Sequence, residues 1–392
     1  MGFYAHVKKS EKIMERNREY YLGVFDLLKG YLMIAIFMVH TLVIIEFLLQ
    51  AAIAVHPGLA IVERLVYQVP LLLNAAIILL FMVSGFGFRQ AAMGATVKKQ
   101  AGTILVPYLI TSVVATILYA ICHFKVLGST EEWLYQIRSH ALGYLIGVTD
   151  TNLIPNGAAT CVAAIWYLLA LFIAWNLLNI IMNLAPQKAV IPICIAVTVA
   201  GYLLAVTIQP QFCLSQGMVG VTPLYFGYRI REDKLLLKKH PWWVFVLLGI
   251  GSAISICFGT LKLANYTYDL GILEIPLAGC TAYLLMYLAV AIDGIEGWVP
   301  DKLRTIGRYS LWILCVHTIE IKALPWYSIL GLLPDNLLLD IIIMFAIRCV
   351  LIYIMFEIVM WFEKKKTARE KAKRKAAREA KRAAAAVEAD KE

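Results

Sequence analysis

The sequence predicts an all-α fold: a polytopic transmembrane helix bundle of about ten spans, with both termini cytosolic. Three observations carry that expectation. The 392 residues are 61% hydrophobic and 16% charged, against about 45–50% and about 25% in a soluble domain. Apolar runs of about 20 residues, the length that crosses a bilayer, recur from Gly30 onward. Lys and Arg collect in alternate connecting segments, which orients the runs.

Taken in order, residues 1–26 are polar and basic, with Lys8, Lys9, Lys12, Arg16 and Arg18. They read as a cytosolic segment, because the apolar run that follows is of full length and lacks a small-residue cleavage site. His6 stands where an N-myristoylation signal wants Ser or Thr. Residues 27–361 form the transmembrane domain, with spans placed at 27–49, 66–88, 101–122, 161–182, 189–208, 217–231, 241–261, 271–292, 307–323 and 337–361. The sixth is the shortest. Further basic clusters lie at Arg89–Lys99, Arg229–Lys239 and Lys302–Arg308, while the alternate loops carry only scattered cations (Arg64, Lys125, Arg138, Lys262, Lys322). An even number of spans with both ends cytosolic satisfies every loop.

The long outer loop His123–Thr160 holds Trp133, Tyr135, His140, Tyr144 and Asp150. It reads either as a lid or acceptor platform, or as an interfacial segment with belt aromatics. The tail, 362–392, is rich in Ala, Lys, Arg and Glu without an apolar stripe, which suits a solvated helix touching anionic lipid. Much of the net charge of +10 sits in that tail and in short loops. It therefore points to topology and membrane lipid rather than to nucleic acid. Eight scattered cysteines with no CxxC give no zinc or disulfide pattern, no metal site is expected, and most are expected to be small buried residues.

Chemistry concentrates in the first span, FDLLKGYLMIAIFMVH, which contains Lys29 and His40. Eleven helical residues make about three turns, leaving the two side chains within about 20° of one face and about 16 Å apart along the axis. Lys29 then marks the cytosolic edge and His40 lies near mid-membrane. Ionisable groups at that depth are costly and usually functional, and an imidazole titrates near neutrality, which suits a general base. Asp26 can pair with Lys29 or cap the helix. Read alone, Lys29 is more commonly a snorkelling topology anchor and Asp26 a cap.

The remaining candidates have two readings each. Ser84 beside Gly85 offers a hydroxyl or a small-residue packing face. Trp166 and Tyr167 line an acceptor path or belong to the core. His317 and Glu320, three apart on one helical face, form a second polar site or satisfy each other. Arg348, inside the last span, binds an anionic substrate group or locks two helices.

Five segments in order resemble the acyltransferase-3 family of integral membrane O-acyltransferases: FDLLKG leading to His40, VPLLLNAAIILLFMVSGFGFRQ, KKQAGTILVPY, AIWYLLALFIAW and GRYSLWILCVHTIEI. The resemblance covers about residues 20–360, with Lys29 where that family usually has Arg. It implies transfer of an acyl group, most often acetyl from cytosolic acetyl-CoA, to a hydroxyl of an extracytoplasmic carbohydrate or cell-envelope acceptor. No bound cofactor is expected; acyl-CoA is the donor substrate. Lys29, Arg89, Lys98 and Lys99 could hold its phosphates, and His40 could act as base, with direct transfer and an acyl-histidine both open. The rival is a proton-coupled transporter, which would show related halves and broken helices, neither of them evident in the sequence.

Overall fold

Backbone amides in an apolar environment must be satisfied within their own segment, and helices meet that demand at nearly every apolar run of this chain. The computed structural model describes residues 23–55, 72–150, 158–330 and 337–389. Most of the basic N-terminal segment, the start of the second span and residues 151–157 near the end of the outer loop thus lie outside the described residues. The helices are α1 (Asp26–Val55), α2 (Leu72–Phe86), α3 (Met93–Gln100), α4 (Val106–His123), α5 (Thr130–Ile146), α6 (Trp166–Leu184), α7 (Val190–Thr207), α8 (Leu214–Val219) and α9 (Val221–Glu232). They continue as α10 (Trp242–Phe258), α11 (Glu274–Ile292), α12 (Trp298–Arg308), α13 (Ser310–Ala323), α14 (Trp326–Leu330) and α15 (Leu337–Ala389). The one sheet among the described residues is a two-residue antiparallel pair, Leu261–Lys262 with Thr267–Tyr268.

Among the described residues, five helical stretches are long and apolar enough to cross a membrane: Met93–His123, Ala163–Leu184, Gln187–Thr207, Gly271–Ile292 and Ile342–Arg369. Helix α4 shows how they are built. Leu109, Val113, Ile117 and Ile121, spaced by four, are exposed, whereas Tyr108, Ser112, Ala115 and Tyr119 are buried. An outward stripe that is wholly apolar, over an inward stripe carrying hydroxyls, suits lipid rather than water. This is a membrane protein.

Three of the expected spans depart from a single regular α-helix. Pro107 cannot donate to the preceding turn, and a π-turn (Ala101–Leu105) joins α3 to α4. The sixth span is two helices, α8 and α9, meeting at Gly220. Pro223 leaves the Val219 carbonyl without its usual amide, and the Thr198 hydroxyl approaches that oxygen at 3.4 Å. The helix of the ninth span, α13, starts at Ser310, after a joint at Tyr309 with α12. The break at Gly220 is one that was not evident in the sequence.

The chain divides into two units, Met1–Phe345 and Ala346–Glu392. The second is the continuation of α15, which runs without a break into the Ala/Lys/Arg-rich tail. In the first, helices cross closely at glycines. A Cβ at Gly85 would lie 1.8 Å from the Leu224 carbonyl oxygen, and one at Gly227 equally close to that of Met82, so α2 and α9 touch backbone to backbone. Helices α1 and α12 do the same through Gly30 and Gly307. The cysteines depart from expectation: Cys194, Cys213 and Cys315 are buried, but Cys257 and Cys349 are exposed and the other three are half-buried. On helices this apolar outside, a thiol faces outward at no more cost than an alanine.

Candidate active site

Two helices build the site. Helix α1 carries Asp26, Lys29, Phe37 and His40, and α13 carries His317 and Glu320. Their meeting is set by the crossing below it, where the Gly30 Cα faces the Leu303 carbonyl and Gly307 faces that of Asp26. Only Tyr309 separates α12 from α13, so α13 starts beside α1 and rises along it. At mid-height His40 Nδ1 lies 2.6 Å from His317 Nε2, with the rings nearly parallel at 18°. Phe37, one turn before His40, sets its ring edge-on to His317, with centroids 5.5 Å apart.

His317 Nδ1 faces Glu320 Oε2 at 3.3 Å, one turn along α13. Both side chains are buried, Glu320 completely. The Glu320 main-chain oxygen accepts from Trp326 Nε1 at 3.1 Å, which ties the end of α13 to α14. The order Glu320–His317–His40 favours one proton arrangement. With the Glu320 carboxylate facing Nδ1, a proton on His317 Nδ1 leaves Nε2 to accept from His40 Nδ1–H, which puts the His40 lone pair on Nε2. His317 and Glu320 thus are not a second polar site; they continue the first.

The Lys29 end is a charged rim. Lys29 Nζ pairs with Asp26 Oδ1 at 2.8 Å, and Arg308 Nε approaches Asp26 Oδ2 at 3.7 Å. Arg304 donates to the carbonyls of Asp293 and Ile295. Burial pushes the Asp293 carboxyl up from its ordinary range and the Asp26 charge adds to that, against Arg304. Arg304 and Arg308 were not singled out from the sequence, where they looked like topology markers; only the glycine crossing shows that they meet the first span.

The other predicted residues fall elsewhere. Ser84 Oγ lies 3.3 Å from Tyr167 OH, with Phe81 edge-on to the Tyr167 ring. Trp166 and Tyr167 open α6 and are buried. Arg89, Lys98 and Lys99 are exposed, the lysines on the last turn of α3, which packs on α6 rather than on α1. Arg348 lies in the second unit, on α15.

Beyond α13 stands a group that sequence reasoning left as loop aromatics. Tyr119 is stacked between His123 and His140, with centroids 3.9 and 3.8 Å apart. Burial, then the nearby Lys322 and His123 charges, hold His140 at about 3, far below the usual 6.5. The folded protein therefore excludes a proton that the unfolded chain takes up near 6.5. Stability from this group is present above that pH and is lost as pH falls towards 3. Thermal unfolding should accordingly weaken more steeply between pH 7 and 5 in the wild type than in His140→Gln. Equal slopes would refute the buried neutral imidazole.

Apolar membrane-length helices around a half-buried His40, a buried His317 and a buried carboxylate define an integral membrane protein with a polar cluster among its helices. Residues 22–361 match the family model described as an acyltransferase domain. The chain belongs to the acyltransferase-3 family, and is a membrane acyltransferase. No curated protein and no solved structure matches it.

Proposed function

We propose that this protein transfers an acyl group, acetyl in the first instance, from cytosolic acyl-CoA to a hydroxyl of an extracytoplasmic carbohydrate or cell-envelope acceptor, in the cell membrane. The observation that carries the reading is the Glu320–His317–His40 chain, about 16 Å from Lys29 along α1. CoA phosphates need cations at the cytosolic edge, and Lys29 and Arg308 flank Asp26 there. The exposed Arg89, Lys98 and Lys99 would add positive potential on the cytosolic side. The pantetheine arm is long and thin enough to bring its thioester to mid-membrane.

His40 Nε2 takes the acceptor hydroxyl proton as its oxygen attacks the thioester carbonyl. The new C–O bond forms, the C–S bond breaks, and the proton returns from His40 to the departing CoA thiolate. His317 accepts the hydrogen bond of the transient His40 imidazolium, and the Glu320 carboxylate stabilises the charge that spreads along the pair. Ser84 and Tyr167 would shape the substrate path.

Purified full-length protein with radiolabelled acetyl-CoA and a panel of envelope sugars tests this directly. Labelled product with stoichiometric CoA release supports it, and neither appearing with any sugar overturns it. Lys29→Ala should raise the acyl-CoA KM by about tenfold, the scale of one charge-assisted contact, with Lys29→Arg recovering most of it. A change in acceptor KM alone would refute the donor-side placement of Lys29.

A further inference from the structure

The end of α13 remote from Lys29 gathers polar groups that the reaction above does not use. His140 and Tyr144, one turn apart on α5, are both about 95% buried. Their Nδ1 and hydroxyl have no hydrogen-bond partner among the described residues, and the same holds for the Thr160 hydroxyl. Thr160 lies against the same helix: its amide donates to the Ser139 carbonyl, and its own carbonyl oxygen would meet a Cβ at Gly143 at 2.0 Å. Next in the chain, Cys161 Sγ stands 4.0 Å from Lys322 Nζ. Cys161 also lies close enough to Tyr144, and Lys322 to His140, for each to act on the other's charge. The five groups therefore close a ring between α5, the segment before α6 and the end of α13.

A buried polar atom left unpaired costs about 1–3 kcal/mol, and three in one ring call for something to bond. Lys322 narrows what that is. No carboxylate among the described residues lies within 4 Å of it, and a thiol is a weak acceptor. The ring thus offers one ammonium without an ion partner beside hydroxyl and imidazole groups. Lys322 is five residues from His317, about 7.5 Å further along α13.

We propose that this ring is an acceptor subsite for an anionic, hydroxyl-rich group, with Lys322 meeting the negative charge and His140, Tyr144 and Thr160 hydrogen-bonding around it. The inference rests on the transferase reading, since the subsite holds an acceptor sugar so that a neighbouring hydroxyl reaches His40. Carboxylate and phosphate share the required chemistry, and the test separates them.

Full-length protein in lipid nanodiscs is titrated with glucuronate, glucose 6-phosphate and glucose, and binding is read by ligand-observed NMR. At least one anionic sugar should bind about tenfold or more tightly than glucose, and which one does identifies the acid. Lys322→Met should erase that preference, Lys322→Arg should retain it, and Tyr144→Phe should weaken the preferred sugar severalfold. Equal binding of all three sugars, as water-filled polar groups would give, overturns the subsite. So does a preference that survives Lys322→Met. If Lys322→Met does not fold, loss of preference in Lys322→Gln, or its persistence there, decides in the same way. Acyl transfer from labelled acetyl-CoA on the same samples separates the two readings. Anion-selective binding with no transfer to any acceptor overturns the transferase reading alone, and transfer without anion selectivity overturns the subsite alone.

Discussion

Replacing His40 by alanine should lower acyl transfer by about 10²- to 10⁴-fold, the range that a positioned general base contributes. The fall should appear in kcat with little change in the acyl-CoA KM, because Lys29 and the charged rim stand about 16 Å away. Folding should survive, since His40 sits on a 30-residue helix anchored elsewhere by Gly30. Glu320→Gln is the informative companion. It keeps the shape but removes the charge that faces His317 Nδ1 at 3.3 Å, so activity should drop less than in His40→Ala. A well-folded His40→Ala protein with undiminished turnover would refute the base assignment.

Gly307→Val should abolish the folded protein. A Cβ at Gly307 would stand 1.7 Å from the Asp26 carbonyl oxygen and 2.8 Å from the Gly30 amide nitrogen. Backbone atoms cannot step aside as a flexible side chain can, so α1 and α12 would have to separate. The expected loss exceeds about 4 kcal/mol, beyond the range of ordinary point mutations. Gly94→Ala, where nothing lies within 4 Å of the added Cβ, provides the contrast and should change stability by less than about 0.5 kcal/mol. Thermal unfolding of the detergent-extracted proteins checks both, and a Gly307→Val protein melting like the wild type would refute the contact.

Helical class and the face shared by Lys29 and His40 were legible in the sequence because hydropathy and the 3.6-residue period are local properties. His317 and Glu320 were legible as a pair for the same reason. Their junction with His40 was not, since it joins residues 277 apart and depends on a glycine crossing that no local pattern announces. The breaks at Gly220 and Tyr309 were hidden in another way: hydropathy averages across a one-residue joint. His140 and Lys322 were read as loop residues because burial is a property of packing, which polar residue types by themselves do not reveal.

The paired contacts of α1 with α12 and with α13 carry a mechanical consequence. The same two strands of chain are joined at Gly30–Gly307 and again at His40–His317, and α1 is continuous between them. That makes a closed truss whose lower corner cannot open unless the upper one distorts. The separation of Lys29 from His40 is thereby set by the frame and not by loop motion.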